Sequence, residues 1–157
     1  MWRALFALAM AVFTTAWPSG AAFQADVIRI SDGDTIVVRT LDAEDIKIRL
    51  YGIDAPEHDQ PGGQEAAAAL RPLLGRTVTV REMDTDDYSR IVALVEFEGN
   101  SVNLRQVEQG RAWHYGRFCL AEPICQKMKE AEAKARQDGL GLWQAPRPTP
   151  PWNWRRK

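Results

Sequence analysis

The chain has 157 residues, 45% of them hydrophobic, and its 20 Lys and Arg against 21 Asp and Glu leave a net charge of −1. That balance excludes a protein that holds polyanions by bulk charge, although a local basic patch can still bind nucleic acid. The composition fits one globular domain, and two cysteines are too few for a disulfide scaffold or a four-cysteine zinc site.

The first predicted element is a secretory signal peptide over residues 1–22. Arg3 supplies a positive charge, Ala4 to Phe13 an unbroken apolar run, and Pro18-Ser19-Gly20-Ala21-Ala22 a small-residue exit. The run falls short of the about 20 residues of a membrane span, so cleavage after Ala21 or Ala22 is expected rather than retention as an anchor. No cysteine follows the run, which argues against a lipoprotein. The mature protein is expected to be secreted or periplasmic, to keep no stable membrane association and to act as a monomer. A globular domain is expected over residues 23–145 and a Pro-rich Trp/Arg tail over 146–157.

From Val27 onward the pattern has period two. Val27, Ile28 and Ile30 precede the turn Ser31-Asp32-Gly33-Asp34, and Ile36 and Val38 follow it. Ile46, Ile48 and Leu50 alternate with Lys47, Arg49 and Tyr51; Val78 and Val80 alternate with Thr77, Thr79 and Arg81; Ile91 to Phe97 is a further apolar run. These predict five short strands. Helices are predicted over Gln64 to Leu74, broken late by Pro72, over Val102 to Gln109, and over Ile124 to Asp138, each stopping at a glycine. The sum is an α+β, mainly β, fold: a five-stranded barrel of OB type with three helices.

Five residues could carry chemistry together. Asp34 follows an Asp-Gly turn, which alone is ordinary hairpin chemistry. Arg49 lies on the polar face of its strand, Asp54 and Glu57 flank the stiff Ala55-Pro56 pair, and Arg90 follows Asp86-Asp87-Tyr88-Ser89. Two carboxylates can hold a hard cation through oxygen, and a third can take a proton from water. Two arginines can grip a phosphate bidentately and meet charge that develops on it. Such a set suits metal-assisted phosphodiester hydrolysis, provided the five converge.

The words Ile28-Arg29-Ile30-Ser31-Asp32-Gly33-Asp34-Thr35, Ile48-Arg49-Leu50-Tyr51-Gly52-Ile53-Asp54-Ala55-Pro56-Glu57 and Asp87-Tyr88-Ser89-Arg90 occur in this order. Asn103-Leu104 to Gln109-Gly110, Ala131 to Arg136 and Gly141-Leu142-Trp143 follow. Over about Asp26 to Trp143 this pattern resembles the staphylococcal nuclease family. The resemblance implies a five-stranded OB barrel with three helices and a calcium ion held by Asp34, Asp54 and the carbonyl of Ala55. It implies Glu57 as general base or water-positioning group, Arg49 and Arg90 on the scissile phosphate, and Tyr88 on an outer phosphate. Family enzymes cut DNA or RNA, preferring single strands, and leave 3′-phosphates.

Several positions depart from the family's founding enzyme. Ala55 replaces a threonine, Asp87 a phosphate-binding lysine and Ser89 a glycine, and His58 to Gln64 is shorter than a lysine-rich loop. His58 and His114 lack partners at ligand spacing and are expected at the surface or beside the site. Cys119 and Cys125 are expected to form a disulfide outside the cytoplasm, closing a loop worth only about 2 kcal/mol. Trp113, Tyr115 and Phe118 line a nucleobase site or pack in the core, and Trp143 is assigned to the core. The tail admits two readings: an extended segment whose Trp152 and Trp154 stack on bases while Arg155, Arg156 and Lys157 meet phosphates, or a segment folded back over an apolar patch with those cations solvated. The alternative to an enzyme is a non-catalytic OB module that binds single strands.

Overall fold

The computed structural model describes residues 21–156, so the expected signal peptide lies outside the described residues except for Ala21 and Ala22. Its strands are β1 (Ala22–Ile30), β2 (Thr35–Thr40), β3 (Asp45–Leu50), β4 (Ile53–Asp54), β5 (Thr77–Thr85), β6 (Ile91–Phe97), β7 (Asn100–Ser101) and β8 (Trp113–His114). The five long ones run in the order β3-β2-β1-β5-β6, each antiparallel to its neighbour, and β3 pairs in parallel with β6 to close the barrel. The β-branched positions explain the strands: Val27, Ile36, Val38, Ile48 and Val80 are fully buried at the barrel centre. Closure leaves these strands no long free edge.

Barrels need local curvature, and two register shifts supply it, one between Val27 and Arg29 and one between Glu82 and Asp84. The first shift falls at Ile28, which is 37% exposed although its neighbour Val27 is buried. Period-two reading had counted both as strand positions and could not see the slip. β1 also begins at Ala22, inside the segment assigned to the signal peptide, because Ala22 still pairs with Arg81.

The helices are α1 (Gly63–Leu70), α2 (Val102–Glu108), α3 (Ile124–Gln137) and α4 (Pro151–Trp154). α1 gives way to a 3-10 turn over Arg71–Leu73, where Pro72 can donate no backbone hydrogen bond. Ser101 Oγ caps α2 by accepting from the Leu104 amide at 3.2 Å. α3 buries Met128 and Ala135. The three expected helices are present, and α4 is a fourth.

The tail is folded back, not extended away from the barrel. Its prolines lead into one helical turn, so Trp152 and Trp154 do not share an extended face. Trp152 stacks on Tyr115 at 5.2 Å with an interplanar angle of 3° and meets Trp113 edge-on at 6.4 Å. Gln60 Nε2 donates to the Thr149 carbonyl at 2.6 Å, and Trp154 Nε1 to Asp59 Oδ1 at 3.3 Å. The apolar surface of the indoles explains the docking. Trp113 is core, whereas Trp143 is only partly buried: it lies edge-on to Trp113 and under the Arg136 guanidinium. Cys119 and Cys125 are disulfide-bonded. Their loop docks on Tyr51, whose hydroxyl accepts from the Leu120 and Ala121 amides at 2.7 and 3.0 Å. Tyr51 is therefore buried, not on the outer face that strand alternation gave it, because β3 ends at Leu50. No helix among the described residues is long and apolar enough to cross a membrane.

Candidate active site

Parallel pairing of β3 with β6 sets Arg49 opposite Val92, two residues after Arg90. At the same end of the barrel, Asp34 precedes β2 and Asp54 ends β4, and Glu57 follows on the loop. All five lie on one open pocket of about 610 Å³, together with Ala55, Tyr88, Tyr115 and Phe118. The convergence required by the sequence argument is met.

Asp34 and Asp54 are buried and share one guanidinium. Arg49 Nη1 pairs with Asp34 Oδ1, and Arg49 Nη2 donates to Asp54 Oδ1 at 2.7 Å and to the Ile53 carbonyl at 3.3 Å. The other oxygen of Asp34 accepts from the Ala55 amide at 2.5 Å, which ties the start of β2 to the end of β4. Gly33 is needed here for space: a Cβ would lie 2.4 Å from Ala66 Cβ and 2.8 Å from Ala55 Cβ. Burial pulls the Arg49 guanidinium below its ordinary value, against the opposing attraction of Asp54 and Asp32.

Arg90 is held by Asp86, with Nε and Nη2 both 2.7 Å from Asp86 Oδ2. Burial opposes ionisation of Asp86, but the hydrogen bonds from the Arg90 side chain and from the Arg90 and Tyr88 amides prevail and hold its carboxyl below the usual range. Tyr88 is 82% exposed, with Arg90 over its ring at 5.6 Å. Ser89 has φ +57, a left-handed conformation that favours glycine, so the substitution flagged from sequence falls at a strained position.

Tyr115 and Phe118 line the pocket, whereas Trp113 does not. His58 is exposed; His114 pairs with Ile53 across β8 and β4 and lies outside the pocket lining.

Among the described residues, no group of three or more His, Cys, Asp and Glu side chains has the arrangement of a metal site. Two carboxylates do converge: Asp34 Oδ1 and Asp54 Oδ1 both face the Arg49 guanidinium. An all-oxygen pair that already gathers around one cationic group fits a hard divalent cation, with the remaining positions left to backbone, water and substrate.

The family model for staphylococcal nuclease homologues matches residues 47–145. The chain belongs to the staphylococcal nuclease family. It is 38% identical to a protein named micrococcal nuclease from Shigella flexneri, over 98% of this chain and 92% of that one. It is 39% identical to Protein ParB of Escherichia coli, over 96% of this chain and 89% of the relative. It is 37% identical to an uncharacterized endonuclease of Haemophilus influenzae, over 83% and 72%. Asp34 precedes the stretch matched to the staphylococcal nuclease model, and the tail follows it.

Three residues of this staphylococcal nuclease fold carry the site without having been assigned to it from sequence. Asn103 Nδ2 donates to the Tyr51 and Ala93 carbonyls, both at 3.0 Å, and its Oδ1 accepts from the Val95 amide at 2.9 Å. Gln106 Nε2 donates to the Gly33 carbonyl at 2.6 Å and to that of Ala66 at 3.1 Å. A polar residue at a buried helical position was the available signal. The third is Arg155, for which the sequence offered only a substrate phosphate or solvent as partner: its Nη1 lies 2.7 Å from Glu57 Oε1 and 3.2 Å from Asp54 Oδ1, and its Nη2 lies 2.8 Å from Asp54 Oδ2. Hydrogen bonds donated to Asp54, and then to Glu57, raise its guanidinium above the ordinary value despite partial burial.

Proposed function

We propose that this protein is a calcium-dependent nuclease that hydrolyses phosphodiester bonds of DNA or RNA, preferring single strands and leaving 3′-phosphates. The observation that carries this reading is the convergence of Asp34, Arg49, Asp54, Glu57 and Arg90 on one open pocket. Nucleic acid is the substrate class of a nuclease family, and the pocket's arginines suit its phosphates.

Asp34, Asp54 and the Ala55 carbonyl would hold the cation. When bound, it would offset charge that builds on the phosphate oxygens. Arg49 and Arg90 would turn guanidinium N–H groups to the same phosphate, which favours the five-coordinate transition state over the ground state. Glu57, partly exposed at the pocket mouth, takes a proton from the attacking water. The bond to the 5′ oxygen breaks and the phosphate stays on the 3′ side. Tyr88, exposed on the rim, contacts a neighbouring phosphate. We place the protein outside the cytoplasm, on the strength of the signal-like residues 1–22 and the Cys119–Cys125 disulfide.

The test is digestion of single-stranded DNA and RNA with calcium or with EDTA. Cleavage in calcium is expected, with loss in EDTA and in Asp34→Ala and Asp54→Ala. Full activity of either variant in EDTA would overturn the mechanism, and binding without cleavage would indicate a non-catalytic module.

A further inference from the structure

The C-terminal helix α4 delivers a fully formed ion pair into the pocket. Arg155 is 101 residues from Asp54 in sequence, yet its guanidinium spans both oxygens of that buried carboxylate and one oxygen of Glu57. The placement is built. Pro151 is buried, Trp152 stacks on Tyr115, and Gln60 holds the Thr149 carbonyl, so the backbone that carries Arg155 is fixed on several sides. The side chain itself remains 43% exposed, with solvent on one side of it.

A carboxylate accepts a limited number of partners. Asp54 Oδ1 accepts from Arg49 and Arg155, and Oδ2 accepts from Arg155. A divalent cation at Asp54 needs one of those oxygens, and both lie under the Arg155 fork. Arg49 is largely buried between Asp34 and Asp54, whereas Arg155 stands at the solvent side and is the partner that can leave. Three carboxylates, Asp34, Asp54 and Glu57, face two guanidiniums, leaving one negative charge in excess. Adding two positive charges removes the electrostatic reason for Arg155 to stay.

We propose that Arg155 is a further active-site residue that alternates with the divalent cation for the Asp54 carboxylate, so that the C-terminal tail sets the cation affinity of the site. In the cation-free enzyme the guanidinium pairs with Asp54 and Glu57 and keeps the carboxylates partly compensated. The cation displaces it, and the displaced arginine stays tethered at the pocket mouth by α4. Because only the fraction of molecules with Asp54 uncovered can bind, the apparent affinity is reduced by that fraction.

This inference rests on the cation site proposed at Asp34 and Asp54. The experiment is a calorimetric titration of calcium chloride into the full chain, without substrate, at physiological salt. The wild type is compared with Arg155→Ala, Arg155→Gln and Arg156→Ala, each first shown to be folded by its thermal melt. If Asp54 is uncovered in roughly one molecule in ten, Arg155→Ala and Arg155→Gln bind calcium about tenfold more tightly than the wild type. Arg156→Ala, which removes an exposed cation next in sequence, should match the wild type. Equal affinity in all four chains overturns the proposal while leaving the cation site standing. Equal tightening by Arg156→Ala also overturns it, since the effect would be a general field. Weaker binding in the Arg155 variants overturns it as well. Absence of binding in every chain overturns the cation site and the proposal together.

Discussion

Asn103 on α2 donates to the backbone carbonyl of Tyr51 at 3.0 Å. Tyr51 directly follows β3, and three residues later the chain reaches Asp54. Asn103 thus fixes the strand end from which the acidic loop departs, and it serves Ala93 and Val95 on β6 as well. A single buried amide holds the closing pair of the barrel on one side and the site loop on the other.

Asn103→Leu takes this partner from the Val95 amide and the Tyr51 carbonyl, whereas the Ala93 carbonyl keeps the Tyr51 amide as its donor. Each such group costs about 1–3 kcal/mol when unpaired, so a stability loss of about 3 kcal/mol or more is expected. Urea denaturation of the variant measures it. A loss below about 1 kcal/mol would mean that the strands re-pair without the side chain.

Arg90→Lys keeps the charge but loses the planar fork that can hold two phosphate oxygens. A fall in kcat of about a hundredfold or more is expected, the scale of one transition-state donor. The same substitution also breaks the two-nitrogen pairing with Asp86, so the thermal melt is recorded alongside the kinetics. Near-wild-type kcat would reduce Arg90 to a partner of Asp86.

Truncation after Ala145 removes the Trp152 indole from Tyr115 and Trp113, along with buried Pro151. Loss of that packing is expected to cost about 2 kcal/mol. For a domain of this size the melting temperature should drop by roughly 6 °C or more. An unchanged melt would show that the docked tail adds no net stability.

Burial pulls the His114 imidazole below its ordinary value; Glu132 and Glu122 oppose this and Lys129 reinforces it. The folded state therefore prefers the neutral ring. As pH falls through about 6.5 the unfolded chain binds the proton first, so stability present above that pH is lost below it. The urea midpoint should decline between pH 7.5 and 5.5, and His114→Asn should flatten that decline. An identical decline in both chains would assign it to other groups.

Much of the fold and the site was legible in the sequence because it rests on local chemistry. The β-branched alternation gave the five barrel strands, and Gly110 and Gly139 marked where α2 and α3 stop. The acids and arginines stood out because hydrolysis of a phosphodiester needs those types, and the family's order of words tied them together. Ser89 could be singled out because it stands where the resembled family has glycine; that the position is left-handed came from the structure.

Only the tertiary structure decided the rest, because those features depend on contacts between distant segments. The parallel pairing of β3 with β6 brings Arg49 towards Arg90, and no period within either strand encodes it. The bulge between Val27 and Arg29 depends on how β1 curves against β2, so period-two alternation within β1 does not encode it. Whether the tail extends or docks is a balance between proline stiffness and the burial of indoles, and it is settled by Trp113 and Tyr115 waiting on the barrel. An arginine near a chain terminus reads as solvated. It becomes part of the site because α4 turns it onto two carboxylates whose charge is otherwise only partly compensated.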